Sequence, residues 1–239
     1  METETYEKEI CSTVMKYKAA VFDMDGTILD TVTDLKLSLE YAFLKAGYPE
    51  LSHITDEDTK SFFGSGARVA IQRAFSSKKI AASETDISGV EAIYRPYYDM
   101  HCAESTCPYP GILSLIEKLK AGGVRCAVVS NKPDKAVKIL SEKYFPGLFN
   151  AAIGENEALG VRRKPAPDTT LLAADALNAD ISGTVYIGDS EVDIETARNA
   201  GCDCICVTWG FRNKDYLENC GARLFASSAD ELFDLICCR

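Results

Sequence analysis

Two acidic clusters carry the chemistry that this sequence can support. In Val21-Phe22-Asp23-Met24-Asp25-Gly26-Thr27 an apolar strand ends in carboxylates at i and i+2, so Asp23 and Asp25 leave the same face. Asp-Gly is also a common turn dipeptide, which accounts for Asp25-Gly26 but leaves Asp23 unexplained. In Val185-Tyr186-Ile187-Gly188-Asp189-Ser190-Glu191-Val192-Asp193 a second apolar run ends in Asp189 and Asp193, four apart across an expected helix start. N-capping by Asp189 or Ser190 with an acidic first turn is the simpler use of these residues. Capping does not explain why two separate strands should both end in acid pairs. If the strands are neighbours, four carboxylates converge on one cleft. A like-charge pair ~5 Å apart then costs about 3 kcal/mol at an effective dielectric of 20. Such a cluster needs a cation, and hard oxygen donors favour Mg²⁺, which also accepts a phosphate oxygen as ligand.

Two further segments offer hydroxyl, amide and ammonium groups. Val128-Val129-Ser130-Asn131-Lys132 ends another apolar run and presents Ser130, Asn131 and backbone N–H groups suited to phosphate oxygens. An ordinary Ser/Asn cap is the alternative. Lys164-Pro165-Ala166-Pro167-Asp168 sets a lysine before a rigid approach to a helix, which fixes where its ammonium points. The alternative there is a solvated charge beside Arg162 and Arg163.

The elements that must position these groups follow from the apolar pattern. Short apolar runs occur at residues 19–22, 124–129, 151–153, 184–187 and 204–207. Their near-continuous apolar character predicts strands buried on both faces, as in a parallel sheet. Helical patterns such as 112–121 and 168–177 separate most of them, which predicts a doubly wound α/β fold. Between Asp30 and Pro108 the pattern is helical only, as in 35–46 and 67–75. We therefore expect an α/β core of residues 18–31 and 107–239, an inserted α-helical domain of 32–106, and an N-terminal extension of 1–17.

The chain has 239 residues, with 26 Lys plus Arg against 36 Asp plus Glu, a net charge of -10. That balance argues against nucleic-acid binding, which needs a basic stripe. It leaves a small phosphorylated partner open, because a metal and a few local cations can reverse the field in one pocket. The acidic start METETYEKEI lacks the basic and apolar regions of a secretory signal, and no run approaches the roughly 20 apolar residues that span a bilayer. The expectation is a soluble cytoplasmic protein without a membrane partner. Cys202, Cys204 and Cys206 alternate along an expected strand, poorly placed to wrap one tetrahedral metal, and read as small hydrophobes in a reducing compartment. Cys237-Cys238 at the tail carries no assigned role. No feature of the sequence sets the oligomeric state.

Taken together, Asp23-Met24-Asp25-Gly26-Thr27, Ser130, Lys164 and Gly188-Asp189-Ser190-Glu191-Val192-Asp193 resemble the four motifs of the haloacid dehalogenase superfamily. Lys164-Pro165-Ala166-Pro167-Asp168, the helical insertion, Phe63-Gly64-Ser65-Gly66, Tyr109-Pro110-Gly111-Ile112 and Val207-Thr208-Trp209-Gly210-Phe211-Arg212 are similar to its phosphoglycolate-phosphatase-like branch. The resemblance implies a Rossmann-like core with a helical cap that closes over the site, and a phosphatase of small phosphorylated metabolites. It implies Asp23 as nucleophile and Asp25 as general acid and base. It further implies Mg²⁺ held by Asp23, Asp25 (through its backbone carbonyl) and Asp189, with Asp193 acting through water or from behind. Ser130, Asn131 and Lys164 would bind phosphate. Among cap residues, Arg68, Tyr98 and His101 are candidate substrate contacts, although His101 beside Tyr97-Tyr98 fits a packed or surface side chain better. The chain departs from that branch in Arg162-Arg163, where many relatives carry an uncharged pair, and in its longer N-terminus. The rival activities are a phosphomutase, which usually has Val in place of Thr27, a metal-independent dehalogenase, and a catalytically silent binding protein.

Overall fold

In the computed structural model, residues 15–237 are described; the first fourteen residues of the expected extension, and Cys238, lie outside them. The chain divides into two compact units, one of residues up to Ile28 and from Pro108 onward, the other of Leu29–Cys107.

The first unit is built on six parallel strands: β1 (Ala19–Asp23), β2 (Arg125–Pro133), β3 (Ala151–Glu155), β4 (Thr184–Gly188), β5 (Asp203–Val207) and β6 (Leu224–Ala226). Their spatial order is β3-β2-β1-β4-β5-β6. The chain therefore steps outward from β1 to β3, then returns to lay β4 against the other side of β1. Ala19 stands beside both Arg125 and Thr184, and Phe22 beside both Val128 and Ile187, so the carboxyl ends of β1 and β4 are level. Every residue of β1 and β4 is buried, as expected of strands covered on both faces. On one face Ala19, Val21, Ala127, Val129 and Tyr186 pack with Ala173, Leu177 and Ala197 from two of the flanking helices. The alternate residues Ala20, Phe22, Val128 and Ile187 are equally buried.

The second unit is helical: α1 (Val32–Lys45), α2 (Asp56–Phe62), α3 (Ala67–Ser77) and α4 (Glu84–His101). Two of its helices begin where the sequence supplies caps. Thr55 with Asp58 and Ser83 with Asp86 form reciprocal capping boxes at α2 and α4. Six helices accompany the sheet: α5 (Ile112–Ala121), α6 (Asp134–Tyr144), α7 (Asp168–Ala176), α8 (Glu191–Ala200), α9 (Lys214–Asn219) and α10 (Ala229–Ile236). Among the described residues no helix is long and apolar enough to cross a membrane.

β2 runs farther than the apolar pattern predicts. The expected strand stops at Val129, whereas β2 continues to Pro133, with an irregular register against β3 between Val129 and Pro133. Ser130, Asn131 and Lys132 thus lie in the strand end, and α6 starts only at Asp134. The five strands predicted from the apolar runs are present, joined by the short β6, and two further short strands, Leu29–Asp30 and Cys107–Pro108, pair with each other where only helices were expected.

The two ends of the helical unit are tied by one carboxylate. Asp34, buried in the first turn of α1, accepts hydrogen bonds from Ser105 N, at 2.9 Å from its Oδ1, and from Thr106 N and Thr106 Oγ1, at 2.9 and 2.8 Å from its Oδ2. Asp34→Ala would strand these donors at a cost of about 2–4 kcal/mol. Urea denaturation is expected to show the corresponding fall in midpoint; a change below about 0.5 kcal/mol would remove Asp34 as the tie.

Candidate active site

The level strand ends bring the acid groups together. Asp23 is the last residue of β1, Asp189 follows β4 directly, and Asp193 sits in the first turn of α8. Carboxylate oxygens of all three lie within 4.8 Å of one another, and all three residues are buried. Lys164 enters from the segment before α7. Its ammonium is 2.7 Å from Asp23 Oδ1, 2.8 Å from Asp193 Oδ1, and donates to Tyr186 Oη at 3.1 Å. Tyr186 in turn donates to Asp193 Oδ1 at 3.0 Å. One lysine therefore neutralises parts of two carboxylates, and a buried tyrosine closes the triangle.

Asp193 combines two tasks that the sequence presents as alternatives. Its Oδ1 faces Lys164 and Tyr186, while its Oδ2 accepts from Ser190 N, Ser190 Oγ and Asp189 N at 3.0, 2.6 and 3.2 Å. The cap of α8 and the charge pair are one carboxylate. Asp189 is held from two sides, by Thr27 Oγ1 at 2.9 Å and by Phe211 N at 2.6 Å. The backbone crowds it closely: a Cβ at Gly26, whose φ is +79°, or at Gly210 would collide with the Asp189 side chain. Trp209 Nε1 donates to Thr27 O at 3.1 Å, binding the Val207–Arg212 segment to the turn after β1.

These contacts set the titration behaviour. Burial and the neighbouring Asp193 charge push Asp23 well above the usual carboxylate range, against the pull of Lys164. Burial and Asp193 likewise push Asp189 up to about 7, although the hydrogen bonds from Phe211 and Thr27 oppose them. Asp193 moves the other way: burial works against ionisation, but Lys164, Ser190 and Tyr186 outweigh it and hold the carboxyl below its ordinary value. For Lys164 burial alone would lower the ammonium, and Asp193 and Asp23 reverse that and raise it. With three carboxylates and one lysine the cluster is compensated at Asp193 and carries excess negative charge at Asp23 and Asp189. A buried, all-oxygen donor set under like-charge stress fits a hard divalent cation.

The remaining predicted residues divide by location. Ser130 is buried at the end of β2, where its Oγ accepts from Lys132 N at 3.3 Å. The Asn131 side chain clamps the Lys164 backbone: its Oδ1 accepts from Lys164 N at 2.7 Å and its Nδ2 donates to Lys164 O at 3.1 Å. This amide positions the turn that carries Lys164, a placement that its sequence neighbourhood does not reveal. Asp25 is partly exposed and pairs with Lys132, Nζ to Oδ1 at 2.8 Å. The arginines before Lys164 each have a local acid. Arg162 pairs with Asp168 at 2.7 Å and Arg163 with Glu157 at 3.0 Å.

In the helical unit, Arg68 pairs with Glu84 and with Glu91, the latter at 2.8 Å. His101 stacks on Tyr97 with centroids 4.1 Å apart and lies 2.7 Å from Glu104. Tyr98 is buried and stacks on Tyr94 at 5.5 Å. Sequence reasoning passed over Lys132 and Tyr186. Tyr186 had one available signal, since a tyrosine in a buried run must find a partner for its hydroxyl.

The Lys164–Asp193 pair supplies a direct test of this electrostatic account. Lys164→Met alone is expected to cost about 3–5 kcal/mol in metal-free buffer, because it strands buried carboxylates, and Asp193→Asn should cost less, because Lys164 keeps Asp23 at 2.7 Å. The double variant should cost at least about 1 kcal/mol less than the sum, measured by urea denaturation. Additive losses would show that the two groups are not coupled.

Comparison with known proteins agrees with this arrangement. The profile of the haloacid dehalogenase-like hydrolases matches residues 20–207. The phosphoglycolate phosphatase of Agrobacterium fabrum is 33% identical over 199 residues, which covers 83% of this chain and 84% of that protein. The N-acetylmuramic acid 6-phosphate phosphatase of Pseudomonas aeruginosa is 29% identical over 93% of this chain and 96% of its own length. A solved structure of a candidate phosphoglycolate phosphatase from Lactobacillus delbrueckii subsp. bulgaricus superposes with a TM-score of 0.90. It is 44% identical and covers 94% of this chain and 100% of its own. The six-stranded parallel sheet, the acid cluster at its carboxyl edge and these relatives lead to one assignment: the chain belongs to the haloacid dehalogenase-like hydrolase family.

Proposed function

We propose that this hydrolase is a magnesium-dependent phosphatase that frees inorganic phosphate from a small phosphorylated metabolite through an aspartyl-phosphate on Asp23. The observation that carries this reading is the pairing of Asp23 with Lys164 inside a buried acid cluster at the carboxyl edge of the sheet. An isolated structural ion pair would need one carboxylate. Here several are gathered, two of them driven toward protonation, an arrangement that costs stability without a ligand to relieve it. The names of the relatives from Agrobacterium fabrum and Pseudomonas aeruginosa, both phosphatases, point the same way.

In this reading Asp23 Oδ attacks phosphorus, the bond from phosphorus to the ester oxygen breaks, and Asp25 gives that oxygen its proton. Asp25 then takes a proton from water, the resulting hydroxide displaces Asp23 from phosphorus, and phosphate leaves. Lys164 and Ser130 bind the phosphoryl oxygens, where charge rises in the transition state. Asn131 acts on Lys164 rather than on phosphate through its side-chain amide, by fixing the backbone that carries the ammonium. Asp23, the backbone carbonyl of Asp25 and Asp189 would hold Mg²⁺, with Asp193 behind them. The ion would neutralise the acid cluster and draw electron density from the phosphoryl group. The helical unit serves as the cap domain on this reading.

Asp23→Asn is expected to fold normally and to lose at least about 10³-fold in kcat, because an amide cannot form the acyl-phosphate. Phosphate release from a metabolite panel measures this; near-normal turnover would overturn the nucleophile assignment. EDTA should abolish wild-type activity and Mg²⁺ restore it. The thermal response to metal has a defined pH sense. Between the ordinary carboxylate value of 3.8 and about 7, folded Asp189 keeps a proton that the unfolded chain has released. The metal-free protein should therefore lose stability as pH rises through that window. Mg²⁺ competes with that proton, so the gain in Tm on adding Mg²⁺ should be larger at pH 8 than at pH 5. An equal gain at both would contradict Asp189 as a ligand.

A further inference from the structure

Asp189 takes one of its hydrogen bonds from a main-chain N–H, and such a donor is only as fixed as the backbone that carries it. Between the end of β5 at Val207 and the start of α9 at Lys214 that backbone belongs to no helix or strand. Phe211 N nevertheless donates to Asp189 Oδ2 at 2.6 Å, and a Cβ at Gly210 would strike both the Asp189 side chain and Gly26 O. The upstream end of the segment is tied by Thr208 N to Ala226 O at 3.0 Å and by Trp209 Nε1 to Thr27 O. The downstream end is tied by Arg212. Its guanidinium reaches Glu191 with two nitrogens, Nε to Oε2 at 2.8 Å and Nη2 to Oε1 at 3.3 Å, and its side chain is 10% exposed.

Glu191 opens α8 and stands two residues after Asp189. A closed ring results. It runs along the backbone from Asp189 to Glu191, across the ion pair to Arg212, back one residue to Phe211, and through that N–H to Asp189 Oδ2. Both ends of the ring are anchored in the same short stretch of backbone, so the segment cannot draw away from Asp189 without breaking the two-point contact at Arg212. Thr27 Oγ1 holds the other oxygen of Asp189. We propose that Arg212 is a positioning residue for Asp189: by gripping Glu191 it keeps the Phe211 N–H on Oδ2 and so sets the direction in which the carboxylate meets Mg²⁺. This inference rests on the reading of Asp189 as a metal ligand. The ion pair itself contributes little to folding, because the Glu191 side chain is a quarter exposed and solvent screens it. A field effect has the opposite sign from a positioning effect. Removing a cation beside an acidic site tightens Mg²⁺ binding, whereas misaiming a ligand weakens it.

Two measurements test the proposal without relying on turnover. Trp209 is the single tryptophan of the chain, so its fluorescence reports on this segment alone. In metal-free buffer, acrylamide should quench Trp209 more strongly in Arg212→Met than in wild type. Calorimetric titration with Mg²⁺ should show a Kd raised about threefold to tenfold, below the ~10–100-fold typical of losing a metal ligand's direct partner. Arg212→Lys keeps the charge but offers a single point of contact, and should fall between the two. In a Glu191→Ala background the same Arg212→Met substitution should add nothing, because the ring is already open. Arg212→Gln provides a second neutral variant should the methionine fail to fold, as judged by circular dichroism. An unchanged Mg²⁺ affinity in the neutral variants would overturn the proposal even if quenching rises, since that is the mark of a merely structural tie. Tighter Mg²⁺ binding would overturn it in favour of a field effect, and a full-sized loss in the Glu191→Ala background would show that Arg212 does not act through Glu191. Failure of the metal reading is read separately, from Asp189→Asn. If that variant binds Mg²⁺ like wild type, the ligand assignment falls and the proposal with it; if it binds poorly while Arg212→Met binds normally, the proposal falls alone.

Discussion

The constraint on which the site depends is the burial of Lys164 between Asp23 and Asp193. An ammonium removed from water survives only with charged partners and filled hydrogen bonds, and Lys164 has two carboxylates and the Tyr186 hydroxyl. Each partner comes from a different part of the chain. Asp23 ends β1, Tyr186 lies in β4, and Asp193 caps α8. The pair therefore ties strand order to helix position: β4 must lie against β1, and α8 must start immediately after it. The return of the chain from β3 to β4 accomplishes this, and it opens the crevice at the carboxyl edge where ligands of such sheets gather.

The same constraint explains the surplus of acid. Lys164 and Lys132 offer two positive charges to Asp23, Asp25, Asp189 and Asp193. A divalent cation would bring that set to neutrality, and an arriving phosphate would then meet a field no longer negative. The protein withholds full compensation from Asp23 and Asp189 and gives it to Asp193, whose oxygens are saturated by Lys164, Tyr186, Ser190 and the Asp189 amide. Selective compensation leaves the first two carboxylates in need of a ligand while the third holds the scaffold.

Much of this was legible before the fold was known. Apolar runs closing on acids located Asp23 and Asp189, because a buried strand and a charge at its end each leave a local mark. The Pro-rich approach to α7 marked Lys164 for the same reason. What escaped depended on register between distant segments. Asn131 and Lys164 are 33 residues apart, and only the packed strand end shows that the amide faces the lysine backbone. Lys132 carries no local mark because the apolar pattern stops at Val129, and the irregular pairing beyond that point carries β2 on to Pro133. The long α4 was equally opaque: Pro96 lies inside it, and a proline is the strongest local signal against a helix interior.

Asp193 shows why the simple and the functional use of a residue need not compete. A carboxylate at the third position of a helix accepts from the cap residue with one oxygen, and its other oxygen remains to point elsewhere. In α8 that second oxygen receives Lys164 and Tyr186. Capping fixes the rotamer of Asp193, so the ordering entropy needed to hold Lys164 is already met by the helix start. The lysine in turn keeps the cap carboxylate ionised, and an ionised acceptor makes the stronger cap. Each interaction lowers the cost of the other, which is how a fully buried ion pair, a poor source of stability alone, becomes a rigid support for Asp23 beside it.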